Sequence, residues 1–475
     1  MSARLGARDL LDLVLDAGTF ASWDRPVDLT GIEPGYRAEL EAAAVRAGTD
    51  ESVLTGRGTV RGRPVAVVVN EFRFLAGSIG RAAADRIVAA VRRATAEGLP
   101  LLAATASGGT RMQEGTPAFL RMAEISRALM EHRAAGLPYL AYLRHPTTGG
   151  VFASWGSLAH VTVAEPGALV GFLGPKVYEA LNGEPFPAGV QTAENLAAHG
   201  VIDAVVATED LPALVDRALG VLVDPPSPPA LSRRGGDVGD RDAWECIVST
   251  RAEGRVGVRD LLRYGASSTL RLKGTDEGER DDSVLIALTR LDGQPCVLVG
   301  QDRSRQTPST PMGPAALREA RRAMELAEEL RLPLVTVVDT PGAELSQAAE
   351  EGALAGEIAR CIATLTTLSV PTVSILLGQG CGGGALALLP ARTTVATERS
   401  WLSPLPPEGA SVIVHGDVSH AADMARAQGV RAIDLHALGA VHLLVPERDP
   451  DTAEDLARAV VAACGQVLAG AVAPA

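Results

Sequence analysis

"RAAADRIVAAVRRATAEGLPLLAATASGGTRM", residues 81–112, decides the fold, because it returns later in the chain as "REARRAMELAEELRLPLVTVVDTPGAEL", residues 318–345. Each copy opens with apolar residues three and four apart, the mark of an amphipathic helix. Each then passes through a proline into a short run that reads as a buried strand. The likeness extends both ways. Upstream, "VRGRPVAVVVNEF" (60–72) matches "LDGQPCVLVGQDR" (291–303). Downstream, "FLRMAEISRALMEHRAAGLPYLAYLRHPTTGGVFA" (119–153) matches "EIARCIATLTTLSVPTVSILLGQGCGGGALA" (357–387). The prolines keep step: Pro64 and Pro295 lie 231 residues apart, Pro100 and Pro333 lie 233 apart, and so do Pro138 and Pro371. "AAHGVIDAVV" (197–206) and "HALGAVHLLV" (436–445) close the two copies.

A repeat of this size means two related domains. Each reads strand–helix–strand–turn–helix–strand–glycine turn–helix. Helices joining short buried strands call for right-handed crossovers and mostly parallel sheets. We therefore expect an α/β protein with tandem domains at residues 1–223 and 243–475. The Pro-, Gly- and charge-rich segment 224–242 is expected as an exposed linker. The run "GLPYLAYLR" reads as a buried strand ending at Pro146, and the small residues after Gly150 as a helix.

Composition excludes several classes of function. The 475 residues are 47% hydrophobic and carry a net charge of −13. With no basic block to neutralise phosphates, nucleic acid is not an expected partner. No apolar run reaches the ~18 residues of a membrane span. The segment "MSARLGARDLLDLVLDAGTF" lacks a signal-peptide core, so a cytoplasmic protein is expected. Cysteines 246, 296, 361, 381 and 464 form no CxxC and no close pair, which gives neither a disulfide framework nor a zinc site.

The chemistry concentrates at two turns per half: "SGGTRMQEG" (107–115) with "TTGGV" (147–151), and "DTPGAELSQ" (339–347) with "GQGCGGGAL" (378–386). If both turns of a half share one sheet edge, their backbone N–H groups can converge on one oxygen. Such a donor stabilises a developing oxyanion by about 3 kcal/mol. Gly108, Gly109, Gly149 and Gly150 would form one hole; Gly342, Ala343, Gly383 and Gly384 would form the other. A glycine pair between strand and helix also serves as a plain turn. "GQGCGG" also spells GxGxxG at Gly378, Gly380 and Gly383, with Glu398 placed like a ribose-binding acid. It stands outside the opening βα unit, however, and the first half has no equivalent. Cys381 as a nucleophile has no histidine near in sequence. Glu408 either caps a helix or lines a site. Arg73, Arg81, Arg303 and Arg305 read as phosphate ligands or as solvated charges.

At these residues the chain resembles the carboxyltransferase component of acetyl-CoA carboxylase, in the crotonase-like superfamily. The first half is similar to the bacterial β subunit through "SGGTRMQEG", "HPTTGGVFASWG", "GALVGFLGPKV" and "GVIDAVV". The second is similar to the α subunit through "RLDGQPCVLVGQDRSR", "LVTVVDTPGA", "GQGCGGGALA" and "PPEGASVI". The resemblance implies two tandem crotonase-like domains and transfer of a carboxyl group from carboxybiotin to acetyl-CoA, forming malonyl-CoA. It implies Gly149, Gly150, Gly383 and Gly384 as catalytic. Ser107, Gly108, Gly109, Gly171, Gly174 and Pro175 would bind acyl-CoA, and Gly342, Ala343 and Gly382 would bind biotin. It further implies a biotin carboxyl carrier protein and an ATP-dependent biotin carboxylase as partners, a dimer or hexamer with active sites at interfaces, and a place in fatty acid biosynthesis.

The chain departs from the family pattern in four places. No four-cysteine ribbon precedes the first half, so no metal is expected. Thr110 replaces the usual alanine, and "GQGCGGG" replaces "GEGGSGG". Lys176 and Lys273 are the only lysines, and neither has a biotin-acceptor setting, so biotin is expected on another chain. Propionyl-CoA or another short acyl-CoA, a biotin-independent malonyl-thioester decarboxylase, and a non-catalytic scaffold stand as alternatives.

Overall fold

The strand Leu101–Ser107 is buried at every residue, and so is its repeat counterpart Leu334–Thr340. Small and branched side chains without a polar face let helices cover both sides of such a strand, which is the condition for a parallel sheet. The structure, a computed structural model, describes residues 5–472; residues 1–4 and 473–475 of the two expected domains lie outside the described residues. The chain folds as two compact units. One runs to Leu219 and includes Asp276–Gly278, and the other comprises Gly220–Thr275 and Glu279 onward.

The first sheet has the order Ala21–Ser22, Val53–Val60, Arg63–Asn70, Leu101–Ser107, Tyr139–Thr148, Val161–Ala164, Ala204–Val205. The second repeats it with Ala266–Leu272, Val284–Leu291, Gln294–Gln301, Leu334–Thr340, Thr372–Cys381, Thr393–Thr397 and Leu443–Val445. Pairing from the third strand onward is parallel in both, as expected. The first two pairings are antiparallel. Each hairpin turns through two residues with positive φ, Arg61–Gly62 and Asp292–Gly293, the geometry that matches strand twist.

Two expectations need correction. The Tyr139–Thr148 strand does not stop at Pro146; it runs two residues further. Pairing jumps from Thr105 with Leu143 to Ser107 with Thr147, so three residues, 144–146, oppose one. A proline inside this bulge has no ladder hydrogen bond to break. The second sheet carries the same bulge, with 377–379 opposing Asp339. Next, the segment after Gly150 is a succession of turns rather than a helix, whereas Gly382–Leu386 does form one short helix. The Ser154 hydroxyl donates to the Gly150 carbonyl and competes with helical bonding there, while buried Trp155 anchors the segment. The 224–242 segment is irregular and mostly exposed, and hydrogen bonds tie it down. Arg290 donates to the carbonyls of Asp224 and Pro225, and Asp292 accepts the N–H groups of Ala230 and Leu231.

Candidate active site

In each unit the two glycine-bearing turns leave adjacent parallel strands at the same end of the sheet. They touch. A Cβ placed on Gly109 would lie 3.4 Å from Gly149 Cα and 3.5 Å from Gly150 N. In the second unit a Cβ placed on Gly384 would lie 3.3 Å from Ala343 N. Gly109 and Gly342 adopt φ of 106° and 135°, and Gly149 and Gly382 adopt 64° and 65°, conformations that side chains disfavour.

Hydrogen bonding redistributes the expected donors. Gly108 N–H donates to Ala76 O (2.9 Å), Gly109 N–H to Ser107 Oγ (3.0 Å), and Gly149 N–H to Phe172 O (2.8 Å). Gly342 N–H donates to Thr340 Oγ1 (3.1 Å), repeating the Ser107 contact. The hydroxyl closing each strand hooks the amide two residues on and turns the next amide away. Among the described residues, the N–H groups left without an acceptor include those of Thr110 and Gly150 in the first unit, and Ala343 and Gly383 in the second. Both pairs stand 233 residues apart. Of the eight expected donors, Gly150, Ala343, Gly383 and Gly384 keep an open N–H, and Thr110 joins them. Gly384 follows Gly383 in the first turn of the short helix, where N–H groups lack intrahelical partners. All four donor residues are partly exposed, so an oxygen of a bound molecule can reach either pair.

Ser107 is fully buried and shapes its turn rather than reaching outward. Gly171 pairs with Thr148 beside the glycine turn; a side chain on it would strike Gln191. Gly174 and Pro175 start the helix Pro175–Asn182, and a Cβ on Gly174 would meet nothing within 4 Å. The Lys176 side chain lies outside the described residues. Thr110 Oγ1 lies 3.2 Å from the position of a Cβ on Gly150, so the hydroxyl stands at the first pair of donors.

Asp339, which the sequence did not single out, sits fully buried between the two turns of the second unit. Its Oδ1 accepts Gln379 N–H (2.9 Å), Gln301 Oε1 accepts its backbone N–H (3.0 Å), and its Oδ2 has no hydrogen-bond partner. Burial pushes its carboxyl up to about 6, partly opposed by the Gln379 bond. In the first unit Ala106 takes this place, and Asn70 stands where Gln301 does. The repeat register was the available signal, since Asp339 and Ala106 align within it.

Other candidates resolve into structural work. Gly378 lies inside the Thr372–Cys381 strand rather than in a turn, so GxGxxG does not form a nucleotide loop. Glu398 accepts from Gly239 N–H, Arg241 Nε and Glu447 N–H. Burial pushes the Cys381 thiol up to about 11, far from a neutral-pH thiolate. Glu408 pairs with Arg251 at 2.6 Å, which holds its carboxyl below the ordinary value. Arg73 pairs with Glu71, Arg81 with Glu114, and Arg303 donates to the carbonyls of Thr250 and Ala252. The adjacent Arg111 is buried and forks onto Glu51, fixing the turn from behind.

The model of the carboxyl transferase domain family matches residues 2–463. The "Probable biotin-dependent acyl-coenzyme A carboxylase beta3 subunit" of Mycobacterium tuberculosis (strain ATCC 25618 / H37Rv) is 58% identical, over 95% of this chain and 91% of that protein. The "Acetyl-coenzyme A carboxylase carboxyl transferase subunits beta/alpha" of Saccharopolyspora erythraea is 37% identical, over 94% of this chain and 81% of that protein. Among solved structures, transcarboxylase 12S, described as a hexamer with methylmalonyl-coenzyme A and methylmalonic acid bound, superposes with a TM-score of 0.78. It covers 99% of this chain and 92% of its own at 21% identity, a likeness of fold: two tandem crotonase-like domains.

Proposed function

The chain belongs to the carboxyl transferase domain family, and on that premise we propose that it is the carboxyltransferase subunit of a biotin-dependent acyl-CoA carboxylase. The observation that carries the reading is the pair of unpartnered N–H groups at equivalent positions of both units. Carboxyl transfer from biotin to a thioester develops negative charge on two oxygens, and a duplicated donor pair answers both. Thr110 and Gly150 are assigned to the thioester oxygen, whose charge grows as the α-proton leaves. Ala343 and Gly383 are assigned to the biotin ureido oxygen. A single Cβ on Gly384 would crowd the Ala343 N–H at 3.3 Å, so glycine there keeps this donor accessible. Bound carboxybiotin supplies the carboxyl group and takes up the α-proton. The chain's own part is to orient both oxygens and hold their charge; each donor is worth about 3 kcal/mol.

Acetyl-CoA is the proposed acyl substrate and malonyl-CoA the product, feeding fatty acid biosynthesis, with propionyl-CoA the next choice. A one-methylene difference gives limited discrimination, so Thr110 beside the first donor pair is the residue assigned to it. Biotin is proposed to arrive on a separate carrier protein, loaded by a biotin carboxylase subunit. A homo-oligomer, dimer or hexamer, is supported by exposed apolar side chains beside both donor pairs. Met112 is 75% exposed and its repeat equivalent Leu345 97%. Five buried, unpaired thiols support a reducing, cytoplasmic setting.

The test follows acetyl-CoA release from malonyl-CoA with free biotin or a biotinylated carrier. Release that requires biotin and disappears in Gly150→Val is expected. Release without biotin supports a decarboxylase instead, and no turnover of any short carboxyacyl-CoA supports a scaffold.

A further inference from the structure

The loop after the Gln294–Gln301 strand carries an arginine that the fold does not use. Arg303 caps the helix Ala243–Arg251, but Arg305 is exposed and makes no side-chain hydrogen bond or ion pair among the described residues. Its repeat equivalent, 231 residues earlier, is Phe74, fully buried in a cluster with Leu40 and Ala43. The same place on the scaffold therefore holds a packed ring in one unit and an unneutralised guanidinium in the other.

Arg305 lines a polar cavity of about 160 Å³ together with Arg259, Arg271, Lys273 and Arg280. Three carboxyls also line it, but they are committed elsewhere. Asp282 pairs with Arg280 at 2.6 Å. Asp281 accepts the N–H groups of Ser283 and Gly313, and buried Glu319 accepts those of Gly274 and Asp281. Arg259 is neutralised by Asp302 (2.6 Å). Arg271, on the edge strand Ala266–Leu272, is left like Arg305 without a hydrogen-bonded or ion-paired partner among the described residues. Desolvation, with Arg259 and Arg305 beside it, holds its guanidinium below the usual arginine value, partly opposed by Asp302 and Asp282.

We propose that this cavity binds an oxyanion of the phosphate class through Arg271 and Arg305. Guanidinium forks match paired oxygens of such a group. The volume corresponds to roughly five waters, room for one phosphate group and part of its hydration. The site does not depend on the carboxyltransferase reading, and it is assigned to none of the donor pairs.

Equilibrium dialysis of labelled inorganic phosphate against the full chain, at constant ionic strength set with chloride, tests it. One saturable site is expected, weakened about tenfold by Arg271→Gln or Arg305→Gln and about a hundredfold by both. Circular dichroism and melting in the absence of phosphate check that the variants fold. No saturable site in the parent chain, or unchanged binding in a folded double variant, overturns the proposal. Coenzyme A as competitor then identifies the source. Displacement of phosphate, with coenzyme A binding weakened in the double variant, assigns the site to a phosphoryl group of the coenzyme. No displacement assigns it to the free anion.

Discussion

Replacing Asp339 by asparagine removes an ionisable group buried between the two turns of the second unit, and the consequence depends on pH. Burial raises the carboxyl from the ordinary 3.8 to about 6. The folded chain thus holds this proton more tightly than the unfolded chain does. Below about pH 3 both states are protonated and the group costs nothing. As pH rises from about 4 to 6 the unfolded state ionises while the folded state resists, and stability falls. Above pH 6 the penalty is constant. At about 1.36 kcal/mol for each pH step, the rise amounts to about 3 kcal/mol. Asparagine cannot ionise. Its amide still offers Oδ1 to Gln379 N–H, and any cost of its buried NH2 is the same at every pH. The stability gap between variant and parent should therefore move by roughly 2.5 kcal/mol in the variant's favour between pH 4 and pH 7. Urea midpoints for both proteins at pH 4, 5, 6, 7 and 8 read this directly. A gap that stays constant across that range refutes the reasoning.

Gly384→Ala should lower the melting temperature a little, because its Cβ would stand 2.5 Å from the Cε of buried Met312 and push that side chain aside, and should lower biotin-dependent turnover 10- to 100-fold by crowding the Ala343 N–H; parent-like turnover would remove that pair from the mechanism. Arg111→Met should cost about 3 to 5 kcal/mol by stranding buried Glu51, and adding Glu51→Leu should recover much of the loss, as urea unfolding of the single and double variants will show. His132 is buried, its ring nitrogens placed against Thr95 Oγ1 and Pro138 O, and burial lowers its pKa to about 4. The stability it contributes is present above pH 6.5 and lost as pH falls towards 4. His132→Gln should flatten the melting curve over that window, and a parent-like acid slope in the variant would count against it.

Much of this was legible from the repeat. The 231- and 233-residue spacings recovered the order of the parallel strands, because buried strands and amphipathic helices write their periods into local sequence. The glycine turns were legible for the same reason. The bulges were not: Pro146 signalled a strand end, and only pairing with Thr105 and Ser107 reveals that the strand continues past it. The hairpin turns Arg61–Gly62 and Asp292–Gly293 were present in the sequence but overshadowed by the stronger parallel pattern. Which amides remain open was hidden altogether. That depends on hydroxyls at 107 and 340 and a carbonyl at 172 reaching particular N–H groups, and no spacing rule encodes it. Asp339 went unnoticed because a carboxylate among glycine and proline reads as turn chemistry until its burial is known.

The paired bulges lengthen a strand without shifting its phase. Side chains along a strand alternate faces with every residue, so three residues set against one add two, a full period, and leave the facing beyond them unchanged. In both halves the bulge falls a few residues ahead of the glycine turn. Substitutions inside 144–146 or 377–379 leave that count unchanged, whereas deleting or inserting one residue there reverses the face of Gly150 or Gly383. The two halves accordingly differ in residue identity at this point and agree in the number of residues.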